Sequence, residues 1–365
     1  MTLPCLRPSR IRLLPAVSRA ARRSCGCPVA PDKDSAAHPS GSPQIRSPRR
    51  GVVDRISHVK ATHIARQHLV SQVLLRQFTM PGSGGTGWQL LPIDVCNPER
   101  PTKLKGTRAC GSAANFVAVD SASVEALWGS VESRAPAALA AVHAGAPFAD
   151  PLHVETLRDL VVLHYVRSHR YRGVHTSAFE TTSVRLRGEL TSRFPEQLRR
   201  EALRRTGLHL TGPGSLGAFA ERLIEQSEVA QAFESGKLFR TSIENTFYQV
   251  RAMAAKWQVE VLMPESGQFL VGDNPAVTIR TDTTPFSYNM AFGDAHSIVL
   301  PISPRHLLAL GAGNMMATVP RAVVDEINAV QVFAADRFVY MHPRSGLETF
   351  VRAKARQRPA VHVKR

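Results

Sequence analysis

The chain has 365 residues, a hydrophobic content of 43% and a formal net charge of +17, which is typical of a globular protein with a sizeable core. Residues 1–57 carry 11 Lys/Arg against 3 Asp/Glu, about half of the positive excess, and the remainder is too modest to indicate nucleic-acid binding by itself. No apolar run is long enough to span a membrane, and the five cysteines form no CxxC pair, which favours a reduced, cytoplasmic protein.

The segment 1–57 is rich in Arg, Ser and Pro and holds no acid before Asp32, which predicts a disordered basic tail. A start codon assigned too far upstream and a targeting segment are the alternatives, although the apolar patch 13–17 is broken by Pro15 and is too short for a secretory signal. We expect one domain over residues 58–351 with a helical middle at about 121–257, then a basic C-terminus, 352–365, that frays.

The domain opens with the run THIARQHLVSQVLLRQF (residues 62–78), which mixes apolar and basic residues and stops at the turn sequence PGSGGTG. Residues 88–95 are apolar enough for a strand, and a second short strand is expected around 103–110. Two strands alone are unstable, so the sheet must be completed by strands from elsewhere in the chain.

The period becomes helical from Ser121, where apolar residues recur at three- and four-residue steps as far as Val142. Glu125 and Glu132 are seven residues apart, so they lie on the same side of this helix. Their angle to the apolar stripe places both beside the core.

The next predicted helix, residues 151–172, is apolar around almost its whole circumference, which is typical of a helix buried on most sides. Arg167 follows its most apolar part. A buried guanidinium needs carboxylate or carbonyl partners because leaving it unpaired costs several kcal/mol. Glu125, Glu132 and Asp273 are the candidate partners, and a structural ion pair without chemistry is the alternative.

Further helices are predicted over residues 183–205, 215–234 and 239–257. The first is dense in arginine, a composition that could bind phosphates. No aromatic residues alternate with those arginines as a base-stacking surface would require, so a solvated helix face is favoured over a nucleic-acid site.

Strands return after Trp257, at residues 259–263, 268–271, 276–279, 297–300 and 307–310, followed by a helix from near Pro320 and a final strand over 337–341. The order of strands, a helical middle and strands again predicts an α+β fold in which the N- and C-terminal strands form a sheet and the helices are segregated.

Polar side chains stand at the end of one of these strands, in the sequence SGQFLVGDNP (residues 266–275). Asp273 and Asn274 could belong to a site, because polar groups at the end of a buried strand are well held. The alternative is local capping, since Asx residues before proline often bond nearby backbone.

Five blocks, taken in order, resemble the bacterial family called domain of unknown function 4238 over residues 62–341. They are HLVSQVLLRQF (68–78), Asn-Phe at 115–116 followed by Glu125 and Glu132, VRSHRYR (166–172), FLVGDNPAV (269–277) and LPISPRHLLAL (300–310). The resemblance implies a fold and the location of a site but no reaction. The chain departs from the family pattern at Gln67 (usually His), Ser71 (near a usual Pro), His169 (usually Pro) and Gly272 (usually Ser).

The first functional hypothesis is a hydrolase acting on a phosphoester or another polar substrate, by metal-assisted or general acid–base chemistry. Its catalytic residues would be His68, Glu132, Arg167 and Asp273. Arg76, Asn274 and His169 would bind substrate, and a divalent metal, if used, would be held by His68 and Asp273.

No HExxH, GxSxG or GxxxxGK[ST] motif occurs, which disfavours zinc-helix, serine-nucleophile and P-loop sites. The pattern GxGxxG occurs at residues 82–87 and 212–217, but neither follows a predicted strand and opens a helix, so a dinucleotide site is disfavoured as well. Two alternatives stay open. The same residues could form a non-catalytic site in a ligand-binding or regulatory protein, and the Arg-rich helix and the tail could bind nucleic acid.

Overall fold

The structure, a computed structural model, describes residues 64–83 and 87–358. The predicted basic tail and the predicted start of the domain at residue 58 lie outside these residues, as do 359–365. Within the described part of the chain, no helix combines the length and apolarity required to cross a bilayer.

The strands fall into an N-terminal and a C-terminal group on either side of the helical region, as the sequence predicts. They are β1 (Arg66–His68), β2 (Met80–Pro81), β3 (Trp88–Asp94), β4 (Lys105–Gly106), β5 (Ser112–Ala114), β6 (Gln258–Pro264), β7 (Val271–Gly272), β8 (Val277–Arg280), β9 (Ser287–Tyr288), β10 (Ser297–Ser303), β11 (His306–Gly311), β12 (Met315–Val319) and β13 (Phe338–Met341).

The helices are concentrated between β5 and β6. They are α1 (Gln72–Arg76), α2 (Ser121–Glu132), α3 (Ala135–His143), α4 (Pro151–Val166), α5 (His169–Arg193), α6 (Pro195–Thr206), α7 (Pro213–Glu225), α8 (Glu228–Glu234), α9 (Lys237–Ala254), α10 (Arg321–Ala334) and α11 (Glu348–Arg356). This segregation confirms the α+β class.

The larger sheet has the strand order β12-β6-β11-β10-β8-β9, with only β12 and β6 parallel. Its central strand β10 is buried along its whole length. Side chains alternate between the two faces of a strand, so Ile298 and Leu300 pack in the core that contains α4, whereas Val299 packs in the core that contains α10. The sheet is therefore covered by helices on both faces.

The smaller sheet joins the two ends of the described chain in the order β2-β3-β13-β7, with β4 on β3. Strand β3 pairs antiparallel with β13, for example Ile93 with Val339. The prediction that C-terminal strands complete the N-terminal sheet is thus confirmed. A separate two-stranded sheet pairs β1 with β5.

Four predicted helices are divided in the structure, because capping residues or prolines interrupt them. The helix predicted over 121–142 is α2 and α3, with a proline in the first turn of α3. The helix predicted over 151–172 ends at Val166, where Arg167 leaves helical geometry and the Ser168 side chain accepts a hydrogen bond from Tyr171 N to begin α5. The Arg-rich helix predicted over 183–205 is divided between α5 and α6 at Pro195. The helix predicted over 215–234 is α7 and α8, divided where the Ser227 side chain accepts a hydrogen bond from Ala230 N.

The C-terminal segment is ordered further than expected. The sequence places a fraying tail from Arg352 onward, whereas α11 continues to Arg356. Val351 and Ala355 are buried on its inner face, and Arg352 pairs with Glu348 at 2.7 Å one turn earlier. This amphipathic helix has 9 residues, too few for apolar periodicity alone to predict it.

Candidate functional site

Arg167 lies at the turn between α4 and α5 with its side chain only 1% exposed. Its Nε donates to the Leu69 carbonyl at 3.2 Å and its Nη2 donates to Glu132 Oε1 at 2.5 Å. The guanidinium carbon also lies 4.9 Å from the centre of the Trp128 ring. Of the three acids proposed as partners for this arginine, Glu132 is the one that makes the ion pair.

Helix α2 places two carboxyl groups, those of Glu125 and Glu132, close enough to interact electrostatically with this guanidinium. Glu132 is 26% exposed, so it connects the buried arginine to solvent. Burial raises the pKa of the Glu125 carboxyl, and the negative charge of Glu132 raises it further, while Arg167 opposes both effects. Glu125 therefore keeps its proton to a higher pH than an exposed glutamate does.

Two polar atoms on α2 are buried without a hydrogen-bond partner among the described residues. They are Glu125 Oε1 and the indole nitrogen Trp128 Nε1. Buried polar atoms are nearly always satisfied by protein or water, so these two atoms beside the buried arginine are open to a hydrogen bond with water or with a bound polar group.

His68, at the end of β1, belongs to the same cluster. Burial and then the charges of Arg167 and Arg66 lower its pKa, whereas Glu132 and the Cys110 carbonyl act in the opposite direction. The imidazole is therefore neutral at neutral pH. The Gln72 amide nitrogen lies 3.1 Å from His68 Nδ1 and also donates to the Thr107 carbonyl at 3.0 Å. Because that nitrogen is a donor, it assigns the acceptor role to Nδ1.

The buried His164, one turn before Arg167 on α4, has a structural role. Its Nε2 accepts a hydrogen bond from Ser71 N at 3.2 Å and its Nδ1 donates to the Leu160 carbonyl at 2.8 Å. Complete burial, with a further contribution from Arg167, lowers its pKa to about 3. It connects the start of α1 to α4 and thereby supports the cluster from behind.

We call the set His68, Glu125, Trp128, Glu132 and Arg167 the arginine cluster. Three of the four residues predicted to be catalytic lie in it. The sequence predicts Glu125 as a candidate partner for Arg167 but assigns it no catalytic role, and Trp128 lies within the apolar helical pattern that begins at Ser121. Hydrophobic periodicity counts tryptophan as apolar and therefore overlooks its indole N–H, which is a hydrogen-bond donor.

Asp273, the fourth residue predicted to be catalytic, is buried at the end of β7, where its carboxylate accepts three backbone hydrogen bonds. The donors are the amides of Asp336 at 2.7 Å and of Arg337 and Phe338, each at 2.8 Å. Burial raises the pKa of Asp273, and these three donors act against that increase. No described contact joins it to the arginine cluster. The geometry is that of a carboxylate fixing the turn from α10 into β13.

The neighbouring Asn274 is engaged in a similar way. Its amide nitrogen donates to the Ala334 carbonyl at 2.9 Å, and its Oδ1 accepts from Arg170 N at 3.4 Å. It connects the end of α10 to the start of α5. Next to these residues, Gly272 packs on α10 so tightly that a Cβ would lie 3.1 Å from the Gln331 carbonyl, which accounts for the glycine where the family pattern has serine.

The other two residues predicted to bind substrate lie elsewhere. Arg76 is exposed at the end of α1 and borders a pocket of about 240 Å³ that is also lined by Gln77 and His143. His169 is the first residue of α5, and its ring meets Phe116 edge-on with 5.9 Å between ring centres. Their roles in substrate binding stay predictions.

The predicted metal ligands His68 and Asp273 do not lie within a group of potential metal-ligating side chains in the part of the chain that the structure describes. Among residues 64–83 and 87–358, no three His, Cys, Asp or Glu side chains are grouped so that they could hold an ion. A protein site for a divalent cation normally draws on more than two such ligands.

The arginines of the predicted Arg-rich helix are largely paired with glutamates of the chain. Five of them do so, in the pairs Arg185–Glu189, Arg187–Glu221, Arg199–Glu196, Arg204–Glu201 and Arg205–Glu201. These pairs are largely exposed and each contributes little stability, but they reduce the charge available to phosphates. Nucleic-acid binding stays a prediction.

Comparison with known proteins identifies a family. The family model described as "Protein of unknown function (DUF4238)" matches residues 66–345, which contain the arginine cluster, Asp273 and Asn274. No curated protein and no solved structure matches the chain.

Proposed function

Because the chain belongs to the DUF4238 family of proteins of unknown function, we propose a function from the residues themselves: a hydrolase that uses general acid–base chemistry at the arginine cluster. Its substrate would be a phosphoester or another polar ester. The observation that carries this proposal is the opposite direction of two pKa shifts around one buried arginine. The pKa of His68 is lowered and that of Glu125 is raised, which is the usual arrangement of a base and an acid in one site.

Each member of the cluster has a chemical role. Neutral His68 would accept a proton from the attacking water through Nδ1. Glu125, which keeps its proton to a higher pH than an exposed glutamate does, would in its protonated form donate one to the leaving oxygen as its bond to phosphorus or carbon breaks. Arg167 would stabilise the negative charge that develops on the substrate. Glu132, through its 2.5 Å ion pair, would position the guanidinium.

The hydrogen bond between Gln72 and His68 can be exchanged for one to a substrate or water. Gln72 Nε2 donates both to His68 Nδ1 and to the Thr107 carbonyl. An entering water or hydroxyl group can therefore replace Gln72 at Nδ1 while that amide keeps its second acceptor. Hydrogen bonds of this kind often rearrange when a substrate binds.

A non-catalytic binding site is the second candidate, and the unpartnered Glu125 Oε1 and Trp128 Nε1 support it. A ligand that carries both a hydrogen-bond donor and an acceptor would satisfy the two atoms at once. The cluster would then hold the ligand, with Arg167 already neutralised by Glu132. The two candidates share a location and differ in whether bonds are broken.

The test is an activity screen of the full chain with nitrophenyl phosphate mono- and diesters, nitrophenyl acetate, nucleic acids and peptides, each with divalent cation and with chelator. We expect turnover of at least one ester that falls about 10²- to 10⁴-fold in His68→Asn and in Glu125→Gln. The matched controls are His209→Asn and Glu180→Gln, which change exposed helical or loop residues and should leave the rate unchanged.

Absence of turnover on every substrate, or full activity in His68→Asn, would contradict the hydrolase. Binding of an ester that protects the protein from thermal unfolding without being cleaved, and that is lost in Glu125→Gln, would favour the second candidate.

A further inference from the structure

A second polar site lies on the other half of α4, away from the arginine cluster. A groove of about 640 Å³ opens between α4 and α9, within the size range of small-molecule sites. It is bordered by Asp159 of α4, which precedes Arg167 by eight residues, or roughly 12 Å along the helix axis. The groove is therefore a separate location from the proposed catalytic site.

The acids of this groove are neutralised by the chain itself. Asp159 is buried and binds two arginines, Arg134 at 3.0 Å through Oδ2 and Arg251 at 2.7 Å through Oδ1. Glu155 binds Arg251 Nη2 at 2.5 Å. The carboxylates thus hold the guanidinium groups in place and leave little negative charge to repel an anion.

Arg158, on the wall of the same groove, has no carboxylate partner among the described residues. Its Nε donates to the Trp257 carbonyl at 3.1 Å, which fixes the side chain and leaves both terminal nitrogens without a described acceptor. Arg251 Nη1 likewise has no described acceptor, because its ion pairs use Nε and Nη2. Two anchored guanidinium edges therefore border one cavity, and planar guanidinium edges match oxyanions.

The rest of the lining is apolar or amphipathic. Phe148, Val154 and Ala252 line the groove, and Tyr248, with its exposed ring, lies at its border. A ligand with an anionic end and an aromatic or aliphatic body would match both parts of the surface.

We propose that this groove binds a small oxyanion, phosphate or carboxylate, carried on an apolar body, with Arg158 and Arg251 as its anion ligands. The apolar wall would bind the body of the ligand. Asp159 would be a positioning residue for Arg251.

The test is isothermal titration of the full chain with phenyl phosphate, benzoate and inorganic phosphate. We expect the two aromatic anions to bind more tightly than inorganic phosphate, and phenyl phosphate to bind roughly 10- to 100-fold more weakly to Arg158→Ala, because a charge-assisted hydrogen bond is lost. Arg158→Lys should show an intermediate loss, since it keeps the charge without the fork, and it serves as the second variant if the alanine variant is poorly folded. Arg222→Ala, at an exposed arginine of α7, is the control and should bind as the parent does.

The two locations are told apart by the cluster variants. Phenyl phosphate binding that is kept in Arg158→Ala and Arg158→Lys but lost in Glu125→Gln would place the anion at the arginine cluster and overturn the groove site. Binding of none of the three anions would overturn it as well. The groove site is retained if Glu125→Gln binds phenyl phosphate with parental affinity while Arg158→Ala binds it more weakly.

Discussion

Arg167 Nη2 and Glu132 Oε1 are 2.5 Å apart, and the arginine is 1% exposed while the glutamate is 26% exposed. The pair thus joins a buried charge to one that is partly solvated. Removing the glutamate would leave the buried guanidinium with the Leu69 carbonyl and the Trp128 ring as its remaining partners among the described residues. This difference in exposure determines how much free energy of unfolding is lost when either Arg167 or Glu132 is substituted.

We expect Glu132→Gln to lower the free energy of unfolding by about 1–3 kcal/mol, less than the loss for a fully buried pair because the glutamate is partly solvated. Arg167→Met should cost about 2–4 kcal/mol, since the Leu69 carbonyl also loses its donor. The double variant should cost about 1–2 kcal/mol less than the two single variants added together, because it contains neither the unpaired arginine nor the unpaired glutamate that the single variants leave. Urea unfolding of all four proteins checks this, and strictly additive effects would show that the pair contributes no coupling.

Asp273→Asn should lower the free energy of unfolding by about 2–4 kcal/mol, because an amide nitrogen would face backbone N–H donors that now bond to a carboxylate. The control Asp282→Asn changes a carboxyl that is 44% exposed and pairs with Arg280, and should cost less than about 0.5 kcal/mol. If Asp273→Asn is as stable as the parent and loses only ester hydrolysis, the predicted catalytic role of Asp273 would gain support over its structural one.

His164 should make the protein less stable in acid. Its pKa is about 3 when folded and about 6.5 in an unfolded chain, so between these values only the unfolded state takes up the proton. Stability is complete above pH 6.5 and falls as the pH decreases, by up to about 1.4 kcal/mol per pH unit from this group.

The measurement is the urea midpoint between pH 7 and pH 4. His164→Gln should be less stable at pH 7 but should lose less stability on acidification, whereas His209→Asn, an exposed control, should keep the parental pH dependence. An unchanged slope in His164→Gln would mean that other groups cause the acid sensitivity.

Gly111 should tolerate no side chain, because its backbone and its surroundings both exclude one. It has φ +63°, and a Cβ would lie 3.0 Å from Leu75 Cδ1 and from Val70 Cβ. Gly145 has a similar φ of +75° with nothing within 4 Å, so Gly145→Ala isolates the backbone strain, which is about 1–2 kcal/mol.

We expect Gly111→Ala to cost at least about 1 kcal/mol more than Gly145→Ala because of overpacking. The Gly111 carbonyl also accepts from the amides of Leu69 and Val70, so the substitution should reduce ester hydrolysis along with thermal stability. Equal losses of stability in Gly111→Ala and Gly145→Ala would show that Leu75 and Val70 move aside without a penalty.

Glu125→Gln should make the protein more stable while removing its activity. Burial raises the pKa of Glu125 in the folded state, so the folded state loses stability as the pH rises through and above the ordinary range of a glutamate. We expect the free energy of unfolding to rise at pH 8 and this gain to diminish near pH 4, measured by urea unfolding, with the exposed Glu180→Gln as the unchanged control. A loss of stability at pH 8 would indicate that the Glu125 charge is satisfied by the chain.

Much of the fold follows from local patterns in the sequence. The burial of α4 was predicted from its continuous apolar circumference, and the burial of Arg167 from its position next to that run. The need for C-terminal strands to complete the first sheet follows from the instability of two strands alone, and β13 meets it. Apolar periodicity continues across the boundaries within 121–142 and 151–172 and therefore does not predict them. They depend on the proline in the first turn of α3 and on the Ser168 side chain that caps α5.

The sequence by itself determined which polar residues are unusual, since Arg167 in an apolar run and Asp273 at the end of a strand both stand out there. Only the tertiary structure decided their partners. Glu132 reaches Arg167 from α2, whereas the carboxylate of Asp273 meets three backbone amides after α10. The physical reason is that hydrogen bonds and ion pairs depend on distances of about 3 Å between atoms far apart in the chain, and spacing along the sequence fixes such distances only within one helix or strand.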